Sequence, residues 1–234
     1  MTRIVCHRGA CHHAPENTIA SGLAAARLGG DIVELDVRQS GDGVLYVLHD
    51  ATLERTTNGL GPIVEMHSRD LDRLDAGTWF NPTFTGEPLP RLARMLDALK
   101  DRVGFYVEVK SGDADAVAHA ILSADVADNT FTYSETAQIR DEMATAAPWL
   151  RRMINWNDIT GVKEARDLGA AILEFHAPDL TQERLSQARA VGMQVMVHTP
   201  LKDEALFEQG IRARVDYLNI DFPEIAARLR SEFQ

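Results

Sequence analysis

Two histidines, an arginine and a pair of carboxylates within the first fifty residues could together handle a phosphate ester. His7-Arg8-Gly9 follows the apolar run Ile4-Val5-Cys6, Glu34-x-Asp36 lies in a run from Ile32, and His49-Asp50 follows Val44–Leu48. Imidazole exchanges its proton near neutral pH, so a histidine pair suits acid and base work on a diester. Arg8 offers a planar fork that matches phosphate oxygens. Glu34 and Asp36 stand two apart on a strand and so point to one face, while Val33, Leu35 and Val37 point to the other. The pattern recurs in Tyr106-Val107-Glu108-Val109-Lys110, which sets Glu108 and Lys110 on one face, Lys110 adding a point charge. Three carboxylates from two strands form an all-oxygen set that suits Mg²⁺ or Ca²⁺ better than zinc. Two structural alternatives stay open on spacing alone. One is a salt-bridge layer joining Glu34 or Glu108 to Lys110 and Arg8; the other is that each histidine only satisfies its strand end.

These residues need a scaffold that brings distant strand ends together. Short apolar runs alternate along the chain with stretches of helical period. The strands are expected at Arg3–Cys6, Ile32–Val37, Gly104–Val109, Asn129–Tyr133, Leu150–Ile154, Ala171–Phe175, Gln194–His198 and Tyr217–Ile220. The helices between them are expected at Thr18–Leu28, Arg91–Leu99, Ala114–Ser123, Glu135–Ala146, Asp158–Leu168, Gln182–Ala190, Leu201–Gln209 and Pro223–Leu229. Eight strands in strict alternation with helices predict an α/β fold, a TIM-type (β/α)8 barrel whose strand C-termini open onto one face. A doubly wound sheet is the alternative, but no Gly-rich turn follows the first strand. Residues 51–90 break the rhythm with Asn58-Gly59, Gly61-Pro62, Asn81-Pro82, Gly86 and Pro88-Leu89-Pro90, all turn signals. They are expected to form a small lobe inserted after the second strand, lying as a lid over that face of a single domain, 1–234.

Composition bounds the partners. The chain has 234 residues, 45% of them hydrophobic, enough for one large core. A net charge of −11 argues against nucleic acid or an anionic membrane surface, so an anionic substrate would need a locally built positive site. Of the two cysteines, Cys6 reads as a small buried hydrophobe; a zinc pair with Cys11 would have to recruit His12 or His13. No apolar signal segment precedes the first strand and no run has the length of a membrane span, so a cytoplasmic protein is expected. Self-association is left open.

Further motifs sharpen the reading. His7-Arg8-Gly9, Pro15-Glu16-Asn17-Thr18, Glu34-Leu35-Asp36-Val37, Asp42-Gly43 and His49-Asp50 are followed by Leu53-x-Arg55-Thr56-Thr57-Asn58-Gly59. Leu74-Asp75-Ala76-Gly77-x-Trp79-Phe80, Pro90-x-Leu92 and Glu108-x-Lys110 complete the series. This ordered set, over roughly the first half of the chain, resembles the glycerophosphodiester phosphodiesterase family. The resemblance implies a metal-dependent hydrolase that releases glycerol 3-phosphate and an alcohol. It places metal ligands at Glu34, Asp36 and Glu108, the catalytic pair at His7 and His49, and phosphate contacts at Arg8 and Lys110. One position departs: where relatives carry a Trp-Thr pair after the seventh strand, this chain has His198-Thr199. His198 and His176 thereby become candidates for the substrate pocket, and Trp79, Phe80 or Trp156 for a replacement aromatic wall. Lysophospholipids or sugar phosphodiesters are alternative substrates, and a non-catalytic phosphate-binding barrel is the alternative of another class.

Overall fold

The computed structural model describes residues 1–234, and the alternating pattern resolves into nine strands of one sheet. They are β1 (Arg3–Cys6), β2 (Ile32–Gln39), β3 (Leu45–Val47), β4 (Gly104–Val109), β5 (Thr130–Tyr133), β6 (Arg151–Asn155), β7 (Ile172–His176), β8 (Gln194–Thr199) and β9 (Tyr217–Ile220). All but β3 run parallel, and pairing of β1 with both β2 and β9 closes them into an eight-stranded barrel. The helices are α1 (Ile19–Arg27), α2 (Ser68–Leu71), α3 (Leu92–Leu99), α4 (Ala114–Ser123), α5 (Ala137–Ala146), α6 (Val162–Asp167), α7 (Gln182–Ala190), α8 (Glu204–Arg212) and α9 (Pro223–Phe233). The expected (β/α)8 barrel is the observed fold. None of the helices is long and apolar enough to cross a membrane.

Three shifts from the expected boundaries have local causes. β2 runs two residues past Val37 because β3 pairs antiparallel with its end, Val37 opposite Val47 and Gln39 opposite Leu45. α8 starts at Glu204, not Leu201, because the Asp203 carboxylate accepts the free N–H groups of Ala205 and Leu206 and so sets the N-cap. α6 is shorter than Asp158–Leu168, since Trp156–Asp158 closes its own 3₁₀ turn under an Asn155 cap.

Packing sorts the interior into layers. Between strands and helices lies the main apolar core, including Val33, Leu35, Val107, Phe175 and Leu218, all fully buried. Side chains of this size each contribute about 1.5–3 kcal/mol on burial. Inside the barrel, Val5, Ile32, Tyr106, Phe131, Ile172 and Met196 fill the middle. The N-terminal end is plugged where the Tyr217 hydroxyl takes hydrogen bonds from Arg3 and Arg151 and donates to Gln194. Glu34, Glu108, Asn155, Glu174, His198 and Asn219 occupy the same inward face one step further along their strands, and Asp36 lies one step beyond Glu34. The open end is thus polar over an apolar floor.

Between β3 and α3 the chain builds a lobe with a core of its own. Tyr46, Leu48, Leu53, Ile63, Leu71, Ala76 and Leu89 pack together apart from the barrel core. Asp42 ties this lobe to the end of β2. Its carboxylate accepts from the Ser40 hydroxyl at 2.7 Å and from the Ser68 N–H and hydroxyl at 2.9 and 2.7 Å. The lobe does not form a lid. Of its residues only His49, at its entry, lines the barrel mouth, because the separate core holds the rest against the β2–β3 edge.

Candidate active site

The strand-end turns set the site. After β1 the chain reverses through Arg8 (φ 56) and Gly9 (φ 80), two consecutive left-handed residues. Gly9 is required here, for a Cβ would come within 2.4 Å of the Ser21 hydroxyl and 2.8 Å of its carbonyl carbon. The turn aims the Arg8 N–H at Glu34 Oε2, 2.7 Å away. Asn17, also left-handed (φ 57), locks the next carboxylate: its Nδ2 donates to Asp36 Oδ2 at 2.7 Å and its Oδ1 accepts the Asp36 N–H at 3.2 Å. Backbone pairing of the Leu48 N–H with the Asp36 carbonyl, 2.8 Å, brings His49 beside the same strand end.

Glu34, Asp36 and Glu108 converge there, with oxygens all within 4.8 Å of one another. Glu34 and Asp36 are each 1% exposed, so like charges crowd out of water. Burial, and then the Asp36 and Glu108 charges, push the Glu34 carboxyl well above its ordinary range. Burial and Asp36 also raise Glu108, with Lys110 opposing them. Two cations offset part of the repulsion: Lys110 bonds Glu108 and lies 3.5 Å from Asp36, and Arg8 Nε lies 3.4 Å from Asp36. Glu34 Oε1 is nevertheless buried without a hydrogen-bond partner. An orphaned carboxylate oxygen in an all-oxygen trio fits a hard divalent cation, and these acidic groups can hold one. The salt-bridge layer read as an alternative is present, but it leaves that oxygen unsatisfied.

Each histidine is held by a carboxylate. His7 Nδ1 lies 2.8 Å from Asp221 Oδ1, and His49 Nδ1 lies 2.7 Å from Asp50 Oδ1. With Nδ1 engaged, Nε2 is the nitrogen left to exchange protons in both. Arg55 extends the second pair: it forks onto Glu16 with two 2.8 Å bonds and onto Asp50 at 2.6 and 3.0 Å. Those bonds hold the Asp50 carboxyl below the usual carboxylate range.

A cavity of about 530 Å³ opens over these groups. His7, Arg8, His49, Glu108 and Lys110 line one side, and Asn155, Glu174, His176, His198 and Asn219 the other. Beneath them, Glu34 and Asp36 form the buried base of the first side. The structure therefore gathers His7, Arg8, Glu34, Asp36, His49, Glu108, Lys110, His176 and His198 around one cavity. His198 stands edge-on to His7 with ring centroids 5.1 Å apart, and to His176 at 5.5 Å. Burial first, then the two neighbouring imidazoles, push its pKa down to about 3, so it is neutral at physiological pH.

Other expectations need correction. Trp79, Phe80 and Trp156 do not line the cavity, whose aromatic lining besides the histidines is Tyr106 and Tyr133. Trp79 packs on Phe80 inside the lobe, and Trp156 lies against Phe175 with Arg184 over its other face. Cys6 is buried as expected, facing Gly30. Cys11 instead lies with His12 and Asp221, their ligating atoms within 4.8 Å, while Asp221 Oδ1 is already engaged by His7. Asp221 and Glu174 carry no motif of their own in the sequence. The only signal for Asp221 is its place one residue past the last strand, where an acid can meet His7 across the β1–β9 pairing.

The glycerophosphoryl diester phosphodiesterase family pattern matches residues 7–225. A glycerophosphodiester phosphodiesterase of Bacillus subtilis (strain 168) is 40% identical over 117 residues, which is 47% of this chain and 40% of that protein. A second protein of that organism, also described as a glycerophosphodiester phosphodiesterase, matches at 41% over 46% of this chain and 44% of its own length. The chain thus aligns with less than half of these relatives. Among solved structures, a glycerophosphodiester phosphodiesterase from Agrobacterium tumefaciens superposes with a TM-score of 0.94 at 39% identity. It covers 97% of this chain and all of that one. An Oleispira antarctica phosphodiesterase in complex with the product sn-glycerol-3-phosphate superposes at 0.86 and 25% identity, over 99% and 97% of the two chains.

Proposed function

The chain belongs to the glycerophosphoryl diester phosphodiesterase family, and from that premise we propose that it hydrolyses glycerophosphodiesters to glycerol 3-phosphate and an alcohol. One observation carries the reading: two histidines, each fixed through Nδ1 by its own carboxylate, border one cavity with Arg8, Lys110 and three clustered acids.

His7 and His49 divide the acid and base roles. One removes a proton from the attacking hydroxyl, either water or the 2-hydroxyl of the glycerol; the other delivers a proton to the departing alcohol oxygen. Asp221 and Asp50 orient the two rings through Nδ1. Arg8 and Lys110 face the phosphoryl oxygens and counter the charge that grows on them. A divalent cation, Mg²⁺ or Ca²⁺, held by Glu34, Asp36 and Glu108 would supply Lewis acidity and charge neutralisation at the same oxygens. The cavity lining weighs against lysophospholipids, since Pro200 is its sole aliphatic residue. A binding-only barrel would have no use for two separately oriented imidazoles.

The test is a panel of glycerophosphodiesters with glycerol 3-phosphate release coupled to a readout, repeated with EDTA and with Mg²⁺ or Ca²⁺ added back. Turnover that EDTA abolishes and either cation restores is expected. Turnover indifferent to EDTA would remove the three-carboxylate cation site. Tight product binding without turnover under any divalent metal would return the barrel to a binding role.

A further inference from the structure

We propose that Cys11, His12 and Asp221 form a second metal site, selective for a thiophilic divalent cation such as Zn²⁺, whose occupation slows turnover by drawing Asp221 away from His7. Binding at this site stands on its own geometry; the inhibition rests on the reading that His7 takes part in catalysis.

A thiol sulfur, an imidazole nitrogen and a carboxylate oxygen lie here within 4.8 Å of one another. Zinc, with bonds of about 2.0–2.3 Å, sets the donors of a tetrahedral site about 3.3–3.8 Å apart. His12 Nε2 already stands 3.8 Å from Asp221 Oδ2, so a small contraction closes the set. Cys11 and His12 sit in the turn between β1 and α1, which is pinned on both sides of them. The Ala10 N–H bonds the Ser21 carbonyl at 3.1 Å, and the His13 and Ala14 N–H groups return to the Ala10 carbonyl at 2.8 and 3.1 Å. Ala10 and Ala14 are both buried. The His12 ring stacks on Phe222, centroids 4.3 Å apart and 13° from parallel, which fixes the plane of its nitrogens. His12 is also exposed, giving a cation its way in. His13, the other imidazole of the turn, faces Glu224 at 3.4 Å instead.

The donor set differs in kind from the three carboxylates. Thiolate and imidazole select zinc and softer ions, whereas carboxylates suit Mg²⁺ and Ca²⁺. Burial first, then the charges of Asp221 and Glu16, push the Cys11 thiol up to about 12, so a cation reaches the sulfur only by displacing its proton to solvent. Ions with strong affinity for thiolate do this; Mg²⁺ and Ca²⁺ do not. The two sites thus answer to different metals.

One carboxylate couples the new site to catalysis. Asp221 Oδ1 lies 2.8 Å from His7 Nδ1, while Oδ2 faces His12. A dication on Oδ2 competes for the charge of the carboxylate and pulls the group toward Cys11. The bond that orients His7 loosens in consequence.

Titration with Cd²⁺, in excess Mg²⁺ or Ca²⁺ to fill the three-carboxylate site, tests both halves. One equivalent should raise a sulfur-to-cadmium charge-transfer band in the ultraviolet. The same equivalent should lower kcat by roughly 10- to 150-fold, the factor for losing one charge-assisted hydrogen bond. Neither Cys11 nor His12 lines the catalytic cavity, so Cys11→Ser and His12→Phe should turn over normally without cadmium. Cys11→Ser should lose both the band and the inhibition. His12→Phe keeps the stack on Phe222 but not the nitrogen, and should weaken cadmium binding by about 10- to 100-fold or more. No band in wild type overturns the site, as does an equal band in Cys11→Ser, which would put the metal on Cys6. A band with turnover unchanged overturns the inhibition. Inhibition equal in Cys11→Ser and relieved by more Mg²⁺ overturns it too, assigning the effect to the three carboxylates. A protein that turns over no glycerophosphodiester fails the reading of His7, and the band still decides the metal site.

Discussion

Glu174→Gln should make the metal-free protein more stable, by an amount set by pH. Burial first, then the Glu108 charge, raise the Glu174 carboxyl from 4.5 to about 8, against opposition from the Asn219 and Asn155 amides. Between those values the native state holds a proton that the unfolded chain has released. Stability therefore falls as pH rises through the window, by about 1.4 kcal/mol per pH unit. Below the unfolded value both states are protonated and the group contributes nothing. At pH 7 the penalty is about 3 kcal/mol, and above the folded value it levels off at about 5 kcal/mol. Gln keeps the neutral shape in both states and has no such penalty. Wild type and variant should match near pH 4 and diverge steadily toward pH 8. At pH 7 the gap corresponds to roughly 6–12 °C in Tm for a chain of this size. Urea unfolding in EDTA, followed by tryptophan fluorescence, measures it; Trp156 lies 5.2 Å from Phe175, next to the mutated position. Glu34 and Glu108 are raised in both proteins, so only the difference between the curves isolates Glu174. Parallel curves from pH 4 to pH 8 would refute the buried neutral acid.

Two further outcomes bear on the catalytic reading. His7→Ala and His49→Ala should each lower kcat by about 10²–10⁴ with the fold intact by circular dichroism; near wild-type turnover in either sinks its assignment. Asp221→Asn removes a charge-assisted bond of about 1.5–3 kcal/mol, so kcat should drop roughly 10- to 150-fold with KM nearly unchanged; a KM effect without a kcat effect would make Asp221 a substrate contact instead.

The barrel was legible because a closed parallel sheet is covered on both faces, and its strands read as unbroken apolar runs. β1, β4 and β9 fall where the sequence puts them. The site was legible wherever carboxylates interrupt such runs, as Glu34, Asp36 and Glu108 do. The lobe yielded only turn signals, because its core draws scattered residues such as Tyr46, Ile63 and Leu89 across long separations with no period to detect. Asp221, Glu174 and Asn219 were missed for a related reason. Asp221 meets His7 from 214 residues away, and Glu174 and Asn219 become neighbours only when β7, β8 and β9 align. The place of His12 beside Asp221 is equally invisible before β1 and β9 pair.

The two histidines are rooted in different cores: His7 in the barrel, His49 at the neck of the lobe. Their registry therefore depends on a joint, in which the half-exposed Arg55 fork onto Glu16 and Asp50 is the visible clasp. Barrel and lobe have separate hydrophobic supports, and the smaller one opens at lower free energy. Loosening the lobe would disengage one imidazole while the other, with the acid trio, stayed in place. On the proposed reading, turnover would then fail while the barrel remains folded, and the smaller core would set the working temperature.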